Sequence, residues 1–93
     1  NIIKLGSGIT LIDDCYNANP VSMKAAIDLL QSANARRVAV LGDMFELGEE
    51  EEKLHFEVGE YTKDKVDILI CVGKLAKKIY EGAFSKRKKY PYS

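Results

Sequence analysis

The side chains best suited to chemistry lie together in one short segment, Asp13 to Asn19, directly after an apolar run. Asp14 offers a carboxylate for a ribose hydroxyl, a Mg²⁺-bound water or a lysine. Tyr16 offers an aromatic face and a hydroxyl, and Asn17 and Asn19 offer amides that both donate and accept hydrogen bonds. The structural alternative is that Asn19 only caps a helix and Asn17 only shapes a turn. Spacing alone leaves the two interpretations open.

Two further loops follow apolar runs in the same way. Asp43 comes after Val38–Leu41 and a glycine, and Gly73-Lys74 comes after Ile68–Val72. Asp43 is a candidate contact residue, with a turn or a helix cap as its structural alternative. Ligands of open parallel sheets bind beyond the carboxyl ends of the strands. The pattern therefore predicts that the three loops share one edge, which serves a small molecule or a domain interface.

The familiar phosphate-binding motifs are absent. The dinucleotide motif GxGxxG fails because Leu11 stands in place of the third glycine, and the P-loop fails because Leu75 replaces Ser or Thr. His55, the only histidine, is interpreted as structural, and Cys15 as a small packed thiol. Two cysteines and one histidine without metal-ligand spacing predict no zinc site.

Composition limits the class of protein. The 93 residues allow one domain, and 46% hydrophobic with 30% charged residues indicates a globular chain. Lys plus Arg number 14, equal to Asp plus Glu, so there is no basic excess of the kind that nucleic-acid binding requires. No apolar run approaches the ~20 residues that span a bilayer. The two cysteines, without a signal peptide, favour a reducing cytoplasm. We therefore expect neither a nucleic-acid nor a membrane partner.

Apolar runs and amphipathic stretches alternate along the chain. The predicted elements are a hairpin of Ile2–Leu5 and Ile9–Ile12, a helix from Asn19-Pro20 towards Asn34, a strand at Val38–Leu41, a helix from about Glu49 to Tyr61, a strand at Ile68–Val72 and a helix through Leu75–Ala83. The unbroken apolarity of the later strands predicts burial on both faces. The order predicts an α/β fold, with a Rossmann-like, mostly parallel sheet flanked by helices.

Several segments resemble one family. The run Ile12–Pro20 with Ser22–Ala26, the run Arg37–Met44 with Glu46–Gly48, and His55 with Val58-Gly59 are similar to the C-terminal domain of D-alanyl-D-alanine-adding Mur ligases. The resemblance covers roughly residues 9–73, and the combination of YNANP with LGDM-x-ELG is specific. Sister Mur ligases carry related but different residues in the first loop.

The resemblance implies a bacterial cytoplasmic enzyme that makes peptidoglycan precursors. Such a ligase uses ATP and Mg²⁺ to join D-alanyl-D-alanine to UDP-N-acetylmuramoyl-tripeptide. Residues 1–93 would form part of its C-terminal domain, while the uridine-nucleotide domain and the central ATPase domain would lie outside this sequence. By position, the resemblance places Asp14, Tyr16, Asn17 and Asn19 at the nucleotide-facing edge. It gives Asp43 a supporting or interdomain role.

The sequence departs from the family pattern in two respects. Cys15 stands where the family more often has Ser, and the family's domain continues into further strands and a later Gly-rich loop. We therefore expect a domain truncated at its C-terminal end, which is inactive alone and acts together with the central domain. The alternative is a stand-alone Rossmann-like binding or interaction domain without catalysis. A P-loop and a uridine-nucleotide domain encoded upstream would discriminate between the two.

Overall fold

The computed structural model describes residues 2–5, 8–12, 19–32 and 34–85, with side chains from Asn19 onward. Its elements are β1 (Ile2–Leu5), β2 (Gly8–Ile12), α1 (Pro20–Gln31), β3 (Arg36–Gly42), a short 3-10 turn (Gly48–Glu50), α2 (Glu51–Tyr61), β4 (Ile68–Val72) and α3 (Ala76–Ala83). This order confirms the predicted alternation of strands and helices. In the part of the chain described, no helix is long and apolar enough to cross a membrane.

The four strands form one sheet in the order β1-β2-β3-β4. β1 is antiparallel to β2, as the hairpin prediction required, and β2, β3 and β4 are mutually parallel. Ile12, the last residue of β2, lies opposite Val40, and the last residues of β3 and β4, Gly42 and Val72, lie opposite each other. The ends of the three parallel strands therefore lie along one side of the sheet, which we call the carboxyl edge.

α1 begins at a strong local signal. Asn19 adopts an extended backbone and accepts from the backbone N–H of Ser22, while the Ser22 hydroxyl accepts from the Asn19 N–H. Pro20 occupies the first turn, where its missing N–H costs no hydrogen bond. Met23 and Ile27, four residues apart, share the face that is buried against the sheet. The predicted apolar face of this helix is thus confirmed.

The sheet is covered on one face only in the part of the chain described. Two successive right-handed crossovers in the same direction place α1 and α2 on the same face. Ala39 of β3 points into the core beneath them. On β4, Ile68, Ile70 and Val72 are exposed by 41%, 45% and 60%. The prediction of burial on both faces is therefore wrong for this strand: its outward positions are apolar although no described element packs on them.

The helices α2 and α3 approach each other closely because each carries a glycine at the contact. A side chain on Gly59 would overlap the carbonyl of Ile79, and one on Gly82 would overlap the carbonyl of Phe56. Among the residues described, the hydrophobic core contains nine fully buried apolar residues: Met23, Ile27, Leu30, Ala39, Leu41, Met44, Val58, Ala76 and Ile79. The glycines therefore set the distance at which α3 packs on α2.

This contact predicts the effect of Gly82→Ala. In an exposed helix the change would stabilise by about 1 kcal/mol, because alanine is the better helix former. Here the added methyl must push α3 away from Phe56, and overpacking costs about 1–3 kcal/mol. We expect the free energy of unfolding to fall in urea titrations followed by circular dichroism.

Lys77→Ala is the matched control, because Lys77 is an exposed position of the same helix. Its free energy of unfolding should stay within about 0.5 kcal/mol of the wild type. A stabilised Gly82→Ala protein would contradict the close packing of the two helices.

Candidate functional site

Two of the predicted site residues, Asn19 and Asp43, lie among the residues that the structure describes. Asn19 precedes α1, Asp43 follows β3 directly, and Gly73 follows β4. Asp14, Tyr16 and Asn17 lie outside the described residues, so their placement stays a prediction. The parallel order of β2, β3 and β4 brings the loops after β3 and β4 to the same edge, in agreement with the sequence pattern.

Asn19 caps the N-terminus of α1, which was the structural alternative predicted for it. Its Oδ1 accepts from the Ser22 backbone N–H at 2.9 Å, and its own N–H donates to the Ser22 hydroxyl at 3.1 Å. This reciprocal pair satisfies backbone groups that the first turn of a helix otherwise leaves without partners. Because the side chain is exposed, capping is compatible with ligand contact, which stays a prediction.

Asp43 also acts as a cap, but for a helix far away in sequence. Its Oδ1 accepts from the backbone N–H of Ala76, the first residue of α3, at 2.7 Å. Leu75, at the cap position of α3, makes no side-chain hydrogen bond to it. Gly73 has a φ of +126°, and a side chain there would overlap the Asp43 carboxylate. Asp43 therefore joins the loop after β3 to the loop after β4.

The loop after β3 also makes a hydrogen bond to α2. His55 is fully buried, and its Nε2 accepts from the Met44 backbone N–H at 2.9 Å. Its Nδ1 lies 2.6 Å from the carbonyl oxygen of Glu51, one helical turn earlier. The sequence interpretation of His55 as structural agrees with this arrangement. The partner itself was not predicted, since a backbone amide leaves no mark in a sequence.

Beside Asp43 the surface forms an open cavity of about 600 Å³. It is lined by Asp43, Glu51, Glu52, Lys74, Leu75, Lys77, Lys78 and Glu81. Lys78 and Glu81 form an exposed ion pair at 3.3 Å, which contributes little to stability. Lys77 and Lys78, in the first turn of α3, were not singled out from the sequence. The cavity thus presents charges of both signs.

Other reactive groups in the described part are arranged for packing. Burial raises the pKa of the Cys71 thiol to about 11, so the thiol is protonated near neutral pH and is a poor nucleophile. Cys15, expected to be a packed thiol, lies outside the described residues. Among the residues described, no group of three or more His, Cys, Asp or Glu side chains is placed to hold a metal ion.

Comparison with known proteins identifies relatives along nearly the whole chain. Residues 1–90 match the family model described as Mur ligase, glutamate ligase domain. A UDP-N-acetylmuramoyl-tripeptide–D-alanyl-D-alanine ligase of Bacillus subtilis is 48% identical over 88% of this chain and 19% of its own length. The ligase of the same name from Escherichia coli is 47% identical over 77% of the chain and 16% of its own length.

A solved structure agrees with these sequence relatives. The crystal structure of MurF from Acinetobacter baumannii superimposes with a TM-score of 0.72 at 36% identity, covering 88% of this chain and 18% of that protein. The present chain therefore spans about a fifth of the length of the proteins that it matches. The agreement covers the α/β fold, with helices packed on a small, mostly parallel sheet.

The bond between Asp43 and Ala76 predicts different results for two substitutions. Asp43→Ala removes the acceptor and leaves the first N–H of α3 without its partner, so the free energy of unfolding should fall by about 0.5–2 kcal/mol. Asp43→Asn keeps an oxygen at the same place and should retain most of that stability. Urea titrations of both variants measure the difference.

The amide resonance of Ala76 provides the control. It should move in the ¹H–¹⁵N spectrum of Asp43→Ala and change less in Asp43→Asn. Equal stabilities of the wild type and Asp43→Ala would show that the capping bond does not contribute to the fold.

Proposed function

The chain belongs to the Mur ligase family, and we propose that it is part of the C-terminal domain of a ligase that joins D-alanyl-D-alanine to UDP-N-acetylmuramoyl-tripeptide. The observation that carries this proposal is the 48% identity, over 88% of the chain, to a ligase of that name. The specific segments YNANP and LGDM-x-ELG support it, and the second of them forms the end of β3 and the loop that follows at the carboxyl edge. The N-terminal and central domains would lie elsewhere on the same polypeptide.

The proposed reaction is amide formation driven by ATP in the bacterial cytoplasm. The γ-phosphoryl group of ATP is transferred to the free carboxylate of the tripeptide, giving an acyl phosphate and ADP. The amine of D-alanyl-D-alanine then attacks the acyl carbon, loses a proton and displaces inorganic phosphate. Each step is favoured by positioning of the reactants and exclusion of water, which closure of one domain over another provides.

The carboxyl edge would be this chain's contribution to that closure. We assign Asp14, Tyr16, Asn17 and Asn19 to contacts with the nucleotide and the incoming dipeptide, and Asp43 to the support of the neighbouring loops. The mixed charges of the adjoining cavity suit this role. D-alanyl-D-alanine carries both an ammonium and a carboxylate, so acidic and basic side chains each find a partner on it.

Mg²⁺ would neutralise phosphate charge in this reaction, as metals do in phosphoryl transfer. Among the described residues, no three His, Cys, Asp or Glu side chains converge, so these residues do not form a complete protein site for the ion. We therefore assign Mg²⁺ to none of these residues and expect the central ATPase domain to bind it.

The ligase proposal is preferred to a stand-alone binding domain for one reason. The two curated relatives quoted above both carry the name of a ligase. Nothing in the described residues favours the binding domain as a second candidate function.

The direct test is a phosphate-release assay on the polypeptide that contains this chain, with ATP, UDP-N-acetylmuramoyl-tripeptide and D-alanyl-D-alanine. Release should require the dipeptide. Asp14→Asn and Asn17→Ala should lower kcat/KM for ATP or dipeptide by roughly tenfold to a hundredfold, the effect of losing charge-assisted hydrogen bonds of about 1.5–3 kcal/mol.

Asp64→Asn is the matched control, since it removes an exposed carboxylate from the turn before β4, at the opposite side of the sheet. Asp64 has a φ of +62°, a conformation that asparagine tolerates. The control should keep wild-type kinetics. Phosphate release that does not depend on the dipeptide would refute the proposed reaction, and unchanged kinetics in Asp14→Asn would refute the assigned role of that residue.

A further inference from the structure

A buried imidazole lies directly beneath the loop that carries Asp43. His55 is fully buried in α2, and both of its ring nitrogens face backbone groups: the Met44 N–H and the Glu51 carbonyl. A buried polar group without a hydrogen-bond partner lowers the free energy of unfolding, so both partners of the ring stabilise the fold. The ring is therefore held by two specific contacts, one inside its own helix and one to the loop after β3.

The two partners define the protonation of the ring. A backbone N–H can donate only to a nitrogen with a lone pair, so Nε2 carries no proton. A carbonyl oxygen accepts, so the proton lies on Nδ1. The imidazole is then neutral, with its acceptor directed at the loop and its donor directed at the helix. The other neutral tautomer, with the proton on Nε2, does not satisfy both contacts, because the Nε2–H would then face the Met44 N–H and both groups are donors.

Met44, which donates to His55, is the direct neighbour of Asp43, which accepts from α3. The Met44 side chain is fully buried in the core, and its neighbour Asp43 accepts from Ala76 at the start of α3. Beyond Met44 the chain turns sharply, with positive φ values of 64° at Glu46 and 80° at Gly48. His55 therefore binds the loop at Met44, which lies between the end of β3 at Gly42 and the bend at Glu46.

We propose that His55 is a positioning residue for the carboxyl edge. Its neutral imidazole fixes the Met44 amide, and through it the Asp43 carboxylate and the first turn of α3. For its catalytic consequence this inference rests on the proposed ligase function, because Asp43 would support that site. The hydrogen bond itself does not rest on that function.

A histidine that merely fills space requires only the shape of the ring, whereas a positioning histidine requires the acceptor on Nε2. The tautomer can be observed without mutation, because His55 is the only histidine of the chain. In the ¹⁵N-labelled protein, the imidazole spectrum should show a protonated Nδ1 and an unprotonated Nε2. A scalar coupling across the hydrogen bond should connect Nε2 with the Met44 amide nitrogen. A protonated Nε2, or the absence of that coupling, would overturn the proposal.

A pair of substitutions tests the consequence for activity. His55→Gln places an amide oxygen near the position of Nε2, and His55→Met has a similar length but lacks that acceptor. In the ligase polypeptide, His55→Met should lower kcat/KM by roughly tenfold to a hundredfold, since a misplacement of about 1 Å can cost about a hundredfold. His55→Gln should recover most of the loss. Equal losses in the two variants, or no loss in either, would overturn the positioning role.

The two measurements separate the possible failures. A wild-type polypeptide without dipeptide-dependent phosphate release, but with the Nε2 coupling present, would refute the proposed function and leave the hydrogen bond established. If either variant failed to fold, the coupling in the wild-type chain would still decide whether His55 holds the loop.

Discussion

The hydrogen bond from Ala76 to Asp43 is the contact on which the carboxyl edge depends. The sheet ladder between β3 and β4 ends where Gly42 meets Val72, and no strand pairing extends past that point. Beyond it, a side-chain oxygen of one loop accepts from the first N–H of the helix that follows the next strand. Gly73 makes this possible, because any side chain there would occupy the space of the carboxylate. The first turn of α3 is therefore anchored to the end of β3.

The remaining structure supports this contact from the helical side of the sheet. α3 is kept against α2 by the glycine contact at Gly59 and Gly82, and α2 in turn carries His55 beneath the loop. A series of contacts thus connects the packed pair of α2 and α3 with the loops at the carboxyl edge. Ion pairs contribute little to it, since the bond between Lys78 and Glu81 is exposed. Loops that are already in place would favour the proposed contacts with a nucleotide and a second domain, because less ordering would have to occur on binding.

Much of the fold was predictable because its signals are local. Asn19-Pro20 marks the start of α1, the four-residue spacing of Met23 and Ile27 marks its buried face, and the alternation of elements predicts the parallel sheet. The prediction that β4 is buried on both faces was wrong, because an apolar run has the same sequence pattern whether one face of the strand is covered or both. Residues that lie exposed on β4 have the same chemistry as those in a core.

The candidate site was predictable only in outline. The sequence pattern predicted that Asp43 follows a strand of a parallel sheet, but its partner Ala76 lies 33 residues away and contributes a backbone N–H, which no spacing rule detects. The same holds for His55 and the Met44 amide. The assignments of Asp14, Tyr16 and Asn17 stay predictions that rest on the resemblance of their segment to the Mur ligases.

The most direct test of a pre-formed carboxyl edge is native-state hydrogen exchange of the Ala76 amide in this chain without ligand. The amide lies at the first turn of a helix, where it has no helical acceptor and would exchange rapidly unless another group protected it. We predict that Asp43 protects it to a degree comparable with amides in the middle of α2. Exchange at the rate of an unprotected amide would contradict the account, because the two loops would then not be joined before a ligand or a second domain arrives.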